Sequence, residues 1–301
     1  MRPGDWSSDV CSSDLVIYGG VIGLLLLTFA IGAASHGSQR WISIGPFSLQ
    51  PSELAKIGII LFLAAYISSK SREMRQWKKM VIPFLFAIPI IVIVGIENLS
   101  TCIILLAISF IMIFVATPLL VPFVVIGLIG VAGAGGLLLT QGYRMERITV
   151  WLDPAASEKG HQTIQGLYAI GSGGLFGKGL GQSMQKLGFL PEANNDMIFS
   201  VICEELGLFG ALCVLALFFA LIWRFMVIAV NAPDLYGSMI VVGVIAHIGI
   251  QVFINIAVAT NTIPNTGIPL PFISYGGSSL VFMLLEMGLV LSVSRYINVK
   301  K

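Results

Sequence analysis

Charged residues are scarce in this sequence. Asp, Glu, Lys and Arg together supply 11% of the 301 residues, whereas an ordinary soluble domain carries about 25%. Hydrophobic residues supply 56%, so the chain is not expected to fold as a water-soluble globule. The formal net charge of +2 gives no indication of a nucleic-acid partner, and none is predicted.

Sequence motifs for a metal or a nucleotide are also missing. The glycine-rich segment GSGGLFGKGLGQS resembles a phosphate-binding loop, but it lacks the terminal Gly-Lys-Ser/Thr order of a P-loop. Its glycines are equally consistent with a loop that turns tightly against the membrane. The four cysteines have neither metal-type nor redox-type spacing and are interpreted as packing residues; they are Cys11, Cys102, Cys203 and Cys213.

Long apolar runs separated by short polar breaks make up most of the chain. They lack the period-2 alternation of barrel strands, and backbone groups inside hydrocarbon must bond one another, so the runs are expected to be helices. The sequence therefore predicts an all-α integral membrane protein, a polytopic helical bundle. Its eight candidate spans are 15–34, 54–69, 80–96, 101–117, 119–140, 197–223, 236–260 and 276–295.

Basic residues concentrate in one connection, KSREMRQWKKM. The positive-inside rule places this connection in the cytoplasm, and alternation then places 35–53, 141–196 and 261–275 outside. The polar stretch 141–196 is longer than a connection in a compact membrane protein usually is. We therefore expect the chemistry of the protein to lie in or beside this outer loop.

Acidic residues near the end of that loop are the first candidates for chemistry. Asp196 directly precedes an apolar run, where it is suited either to cap a helix or to act as a base at the membrane surface. Glu204 and Glu205 lie about two turns further on, inside the same predicted span. Ionised groups at such a depth are costly unless they are paired, so either a functional role or a structural ion pair is expected for them.

Two further groups of polar residues lie on or near predicted spans. Arg40 and Lys56 flank the start of the second span, where they are suited to face an anion, although Lys56 is also placed to extend its amine to the membrane interface. His247, Gln251 and Asn255 recur every four residues and so share one helix face. This face is either a buried polar seam between helices or a stripe that lines a substrate path.

Six ordered segments resemble the SEDS family of cell-wall proteins, whose members include FtsW, RodA and SpoVE. They are QRWI with QPSELAK, LDP, HQTIQ with GSGGLFGKGLGQS, LPEANNDMIF, EELG and PNTGIPLPFISYGGSS. The resemblance runs from about residue 15 to the end, and LPFISYGGSS and ENLST are closer to the FtsW branch than to the RodA branch.

This resemblance implies a function. Family members are glycosyltransferases that polymerise lipid II, an undecaprenyl-pyrophosphate-linked disaccharide-pentapeptide, at the outer face of the bacterial cytoplasmic membrane, together with a class B penicillin-binding protein. The FtsW branch further implies the division septum and other divisome membrane proteins. The family's essential aspartate matches Asp196, and its cationic positions match Arg40 and Lys56. Substrate contacts are also expected from Glu204, Glu205, Lys178, Ser274, Gly276, Gly277 and Ser278.

The chemistry requires a base for the attacking sugar hydroxyl and positive charge for the departing pyrophosphate. Asp196 is predicted to be the base, with Arg40 and Lys56 at the pyrophosphate. A divalent cation, Mg²⁺ or Mn²⁺, is a possible helper, although no ligand cluster in the sequence requires it.

Three alternatives remain open. The chain is also consistent with a lipid II flippase that uses the His247, Gln251 and Asn255 face as its path, with an elongation polymerase of the RodA type, or with a scaffold. A flippase is expected to show inverted repeats, and we find none. The family usually has ten spans, so residues 1–14 are interpreted as a non-native leader in place of two helices. Residues 15–301 are then one membrane domain.

Overall fold

The computed structural model describes residues 16, 18–28, 33–35, 38–44, 47–117, 123–125, 127–128, 130, 133, 135–136, 142–157 and 160–297. Helices dominate this part of the chain, as the sequence predicted. They are α1 (Tyr18–Thr28), α2 (Pro51–Ser69), α3 (Trp77–Glu97), α4 (Leu99–Ala116), α5 (Gly142–Leu152), α6 (His161–Gly173), α7 (Ile198–Asn231), α8 (Leu235–Ala259) and α9 (Gly277–Arg295).

Six of these helices, α2, α3, α4, α7, α8 and α9, are long and apolar enough to cross a membrane. They match six of the eight predicted spans, with ends that differ by at most three residues except that α7 continues to Asn231, beyond the predicted end at 223. Among the described residues, the span predicted at 15–34 is represented by the apolar helix α1 (Tyr18–Thr28). The span predicted at 119–140 lies for the most part outside the described residues.

A small antiparallel sheet between α1 and α2 was not predicted. Its strands are β1 (Ala33–Ser35), β2 (Ser38–Ile44) and β3 (Phe47–Leu49), in the order β1-β2-β3. Ser35 pairs with Ser38 and Ile44 with Phe47, so two short connections fold the strands back on each other. The strands are short, and their mixed composition carries little period-2 signal, which explains why the sequence indicated only a loop.

The chain forms two compact units. The first comprises residues 1–128, 224–247 and 277–301. Its interior lies among α2, α3 and α4, where Leu63, Leu105 and Ile108 are fully buried. Local signals define its helix starts: Pro51 occupies the first turn of α2, where no backbone donor is needed, and the Asn98 side chain caps α4 by accepting from Thr101 N at 3.2 Å.

The second unit comprises residues 129–223 and 248–276. The region predicted as a long loop, 141–196, contains α5, α6 and a 3₁₀ turn at Gln185–Leu187. Its central feature is a break in α7 at Gly207, whose φ of 66° and ψ of −166° are not helical. Such a break leaves backbone donors and acceptors without their partners in the helix.

The glycine segment, residues 174–179, supplies those partners. In an unbroken helix, Leu208 N and Phe209 N would donate to the carbonyls of Glu204 and Glu205. Instead these two donors bond to Gly174 O at 2.9 Å and Leu175 O at 3.1 Å. The freed carbonyls accept from the segment in return: Lys178 N donates to Glu204 O at 3.0 Å and Gly179 N to Glu205 O at 2.9 Å.

Glycine is required where the two backbones meet. A Cβ at Gly207 would collide with backbone atoms of Leu175 and Gly177, and one at Gly177 would collide with Glu205 O. Both residues also have positive φ, which disfavours any side chain. Close backbone contact therefore explains Gly177 and Gly207, in agreement with the structural alternative at Gly177.

We expect Gly207→Ala to destabilise the protein by about 3 kcal/mol or more, because it combines backbone strain with loss of bonds that water cannot replace. The measurement is the thermal midpoint of detergent-purified protein. Gly171→Ala is the matched control, since Gly171 is helical and a Cβ there meets nothing within 4 Å. Equal midpoints for the two variants would contradict this account of the break.

Candidate functional site

Asp196 lies in the turn that leads into α7. Its side chain is buried, with only 7% of the residue exposed, and its backbone carbonyl accepts a 2.7 Å bond from Asn255 Nδ2. The other hydrogen of that amide goes to Ile268 O at 2.8 Å. One fully buried asparagine on α8 thus fixes both the turn that carries Asp196 and the segment that follows α8.

The Asp196 carboxylate faces a side-chain amide of α6. Gln162 Nε2 lies 3.4 Å from Oδ1 and 3.5 Å from Oδ2, which are long contacts of the kind that tighten when substrate binds. Burial raises the pKa of Asp196 from 3.8 to about 6. The group is therefore a carboxylate at neutral pH and basic enough to accept a proton.

Two charged residues act on the pKa of Asp196 in opposite directions. The negative charge of Glu192 raises the pKa of Asp196, whereas the positive charge of Arg147 lowers it. Arg147, on α5, donates to Asn265 O at 3.1 Å and is otherwise exposed. The sequence assigned the cations of the site to Arg40 and Lys56, so Arg147 is a basic neighbour of Asp196 that sequence reasoning missed.

Ser274 and Tyr275 hold the segment after α8 against the same turn. Ser274 Oγ donates to Asn195 O at 2.5 Å and accepts from Leu270 N at 2.7 Å. Tyr275 N donates to Asn194 O at 2.8 Å. Ser274 therefore anchors backbone beside Asp196. The substrate contacts expected from Ser274, Gly276, Gly277 and Ser278 stay predictions.

Glu204 and Glu205 bind the loop that precedes Asp196. Glu204 is fully buried and accepts from Lys178 Nζ at 2.7 Å and from Ser183 Oγ at 2.5 Å. Glu205 accepts from Lys186 Nζ at 2.5 Å. We call this set the carboxylate clasp. Such contacts are of the kind that the sequence offered as the structural alternative for Glu204 and Glu205. The substrate contacts expected from Glu204, Glu205 and Lys178 stay predictions.

Lys56 is almost fully buried, with 2% of the residue exposed. Its Nζ lies 2.8 Å from Glu53 Oε2, one turn earlier in α2, in a contact whose angles are those of an ion pair and not of an aligned hydrogen bond. Arg40 belongs to β2, but its side chain lies outside the described residues. Both cations therefore stay predictions for substrate binding.

The polar face of α8 is divided among different contacts. Gln251 Nε2 donates to Pro269 O at 3.0 Å, and Asn255 bonds the two carbonyls already described. His247 Nδ1 lies 2.9 Å from both oxygens of Glu286 on α9, and both residues are buried. Glu286, for which the sequence gave no role, is thus the partner of His247.

Metal ligands do not assemble in the part of the chain that the structure describes: no group of three or more His, Cys, Asp or Glu side chains could hold an ion. A divalent cation bound by protein side chains alone does not fit this donor set.

The profile of the FtsW, RodA and SpoVE family, described as cell cycle protein, matches residues 9–299. The chain belongs to this family, and it is a multi-pass membrane protein. Stage V sporulation protein E of Bacillus subtilis (strain 168) is 47% identical over 279 residues, which cover 91% of this chain and 76% of that protein. A probable peptidoglycan glycosyltransferase FtsW of Geobacter sp. (strain M18) is 37% identical, covering 91% of this chain and 77% of that protein.

Solved structures show the same fold. A chain from a peptidoglycan synthase complex, studied for its coordination of polymerization and crosslinking, matches with a TM-score of 0.79 and 27% identity, over 97% of this chain and 83% of that chain. The rod shape determining protein RodA of Thermus thermophilus matches with a TM-score of 0.69 and 28% identity, over 96% and 80% of the two chains. The family suggested by the sequence motifs is confirmed.

The carboxylate clasp predicts a graded response to loss of its lysines. Lys178→Met leaves the fully buried Glu204 without its cation. Lys186→Met leaves Glu205 without its cation, but the side chain of Glu205 is 13% exposed and can be solvated. Cleavage of the 174–190 loop in limited proteolysis is expected to be at least about tenfold faster for the first variant than for the second, the factor that 1.4 kcal/mol gives. Equal cleavage rates would contradict the clasp.

Proposed function

We propose that this chain is a peptidoglycan glycosyltransferase, which polymerises lipid II into glycan strands at the outer face of the bacterial cytoplasmic membrane. The observation that carries this proposal is a buried carboxylate, Asp196, at the entrance to a membrane-spanning helix, in a member of the FtsW, RodA and SpoVE family. A relative bearing the name peptidoglycan glycosyltransferase supports the reaction class.

Asp196 acts as the general base in this proposal. A sugar hydroxyl of one lipid-linked chain attacks the anomeric carbon of another, the bond to the pyrophosphate-linked lipid breaks, and the configuration inverts. The base removes the hydroxyl proton as the new glycosidic bond forms. A carboxylate whose pKa is raised to about 6 by burial accepts that proton more readily than one at 3.8 and is still ionised at neutral pH.

The departing lipid pyrophosphate requires positive charge. Arg40 and Lys56 are proposed for this task on the strength of the family resemblance. The buried pairing of Lys56 with Glu53 limits what Lys56 can do alone, because a substrate phosphate must compete with that carboxylate. Lys178 is engaged by Glu204, so its proposed contact with substrate requires the clasp to open.

The proposed partner is a class B penicillin-binding protein, which crosslinks the strands that this chain makes. Similarity to a chain of a complex that combines polymerization with crosslinking supports this pairing. The proposed place of action is the division septum, with other divisome membrane proteins. Similarity to a stage V sporulation protein favours sporulation as a second process served by the same chemistry.

Asp196→Asn is expected to abolish polymerisation, because an amide cannot take the hydroxyl proton. The measurement supplies the purified protein and its penicillin-binding partner with fluorescent lipid II and separates glycan ladders on a gel. Glu192→Gln is a matched carboxyl-to-amide control in the same turn: it removes a charge that raises the pKa of Asp196 but leaves the base in place, so ladders are expected. Ladders of normal yield from Asp196→Asn would remove the base assignment.

The pH dependence follows from the same group. Only ionised Asp196 is a base, so the rate is expected to fall about tenfold for each pH unit below about 6 and to level off above it. Initial rates of lipid II consumption between pH 5 and pH 8 provide the test, with thermal midpoints at each pH as the control for folding. A flat profile across pH 6 would contradict the assignment.

Lipid II transport is a second candidate, favoured by one observation. His247 and Glu286 form a buried titratable pair within spanning helices, and such pairs are common in proton-coupled transporters. For a polymerase, Glu286→Gln is expected to retain ladder synthesis within about threefold, a change below about 1 kcal/mol in the barrier. Loss of lipid II translocation in vesicles, with ladders unchanged, would support transport instead.

A further inference from the structure

A chain of two side-chain amides, Gln162 and Asn265, leads to the Asp196 carboxylate. Gly267 N donates to Asn265 Oδ1 at 3.0 Å, and Asn265 Nδ2 donates to Gln162 Oε1 at 3.0 Å. Because its oxygen is occupied in this way, Gln162 turns its amino group toward Asp196. The backbone N–H of Gly267 thus sets the orientation of the Asn265 amide, and Asn265 sets that of the Gln162 amide.

We propose that Gln162 and Asn265 form an amide relay that positions the Asp196 carboxylate toward the acceptor hydroxyl of the substrate. This inference rests on the proposed function of Asp196 as base. One amino group bridges both carboxylate oxygens at 3.4 and 3.5 Å, and the backbone N–H of Asp196 bonds the same carboxylate. At least one oxygen therefore keeps a lone pair for the incoming hydroxyl. Gln162 and Asn265 are positioning residues, since neither is required to touch the reacting atoms.

A neutral donor suits this position better than a cation does. Arginine or lysine in direct contact commonly lowers a carboxyl pKa by about 1–3, which would weaken the base. The amide of Gln162 also lowers the pKa of Asp196, but against the larger effect of burial, and the group stays at about 6. The other charges that act on Asp196 are Glu192, which raises its pKa, and Arg147, which lowers it.

The relay predicts that substitution of Gln162, which contacts Asp196, and of Asn265, which does not, raises the midpoint of the pH–rate profile. Gln162→Leu removes the amino group, so the midpoint of the pH–rate profile is expected to rise by about half a unit or more and the plateau rate to fall about tenfold. Asn265→Asp replaces the donor to Gln162 with an acceptor. Gln162 then turns its oxygen toward Asp196, and the midpoint rises again.

A double variant separates the relay from simple charge repulsion. If the effect of Asn265→Asp passes through Gln162, the double variant Gln162→Leu/Asn265→Asp has the same midpoint of the pH–rate profile as Gln162→Leu alone. If the new carboxylate repels Asp196 directly, the midpoint of the double variant is higher than that of Gln162→Leu. Gln165→Leu is the control, being the same change one turn along α6, and is expected to keep a midpoint near 6.

The outcomes distinguish the relay from the role of Asp196 as general base, on which the relay rests. An inactive Asp196→Asn, with a wild-type midpoint near 6 that Gln162→Leu does not move, would overturn the relay and leave the base in place. Additive shifts in the double variant would also overturn it. An active Asp196→Asn would overturn the base itself. If Gln162→Leu is not recovered as folded protein, the midpoints of Asn265→Asp and Asn265→Leu are compared instead. Asn265→Leu also removes the donor to Gln162 but adds no charge, so a raised midpoint in both variants supports the relay and an unmoved midpoint in Asn265→Leu overturns it.

Discussion

The second unit depends on the need to bond every backbone group at the break in α7. Gly207 releases two donors and two acceptors, and the glycine segment takes up all four. In an apolar environment each unbonded group would cost several kcal/mol. The loop before Asp196 is therefore tied to the helix by backbone bonds first, and the carboxylate clasp of Glu204 and Glu205 adds side-chain bonds to the same contact.

The burial of Asp196, in the turn that leads into α7, has a cost in free energy. Raising its pKa from 3.8 to about 6 corresponds to about 3 kcal/mol that disfavours the ionised group in the folded protein. The cost is absent below about pH 4, where the carboxyl is protonated in both states, and is complete above about pH 6. At neutral pH other contacts must offset it. The two bonds of Asn255 and those of Ser274 hold the backbone around the turn without neutralising the carboxylate.

Hydropathy predicted most of the spanning helices because apolar runs of bilayer length have few other stable structures. It did not predict the break at Gly207, since a glycine inside an apolar run does not reveal its φ. Asp196, Glu204 and Glu205 stood out because each is costly where it lies, but their partners were not identifiable. Gln162, Asn265 and Arg147 lie tens of residues away along the chain, and an uncharged amide in a polar loop gives no sequence signal of its own.

The polar residues His247, Gln251 and Asn255 are evenly spaced on one face of α8, yet they make different kinds of contact. Gln251 and Asn255 donate to backbone carbonyls of the turn and segment around Asp196, whereas His247 pairs with the buried Glu286. Groups bonded to fixed carbonyls cannot readily exchange partners with a passing ligand, because breaking such a buried bond leaves an unsatisfied group that costs about 1–3 kcal/mol. A transport path needs polar groups that exchange partners as the ligand moves, while a polymerase needs its base held at one place. In their contacts, Gln251 and Asn255 match the second requirement.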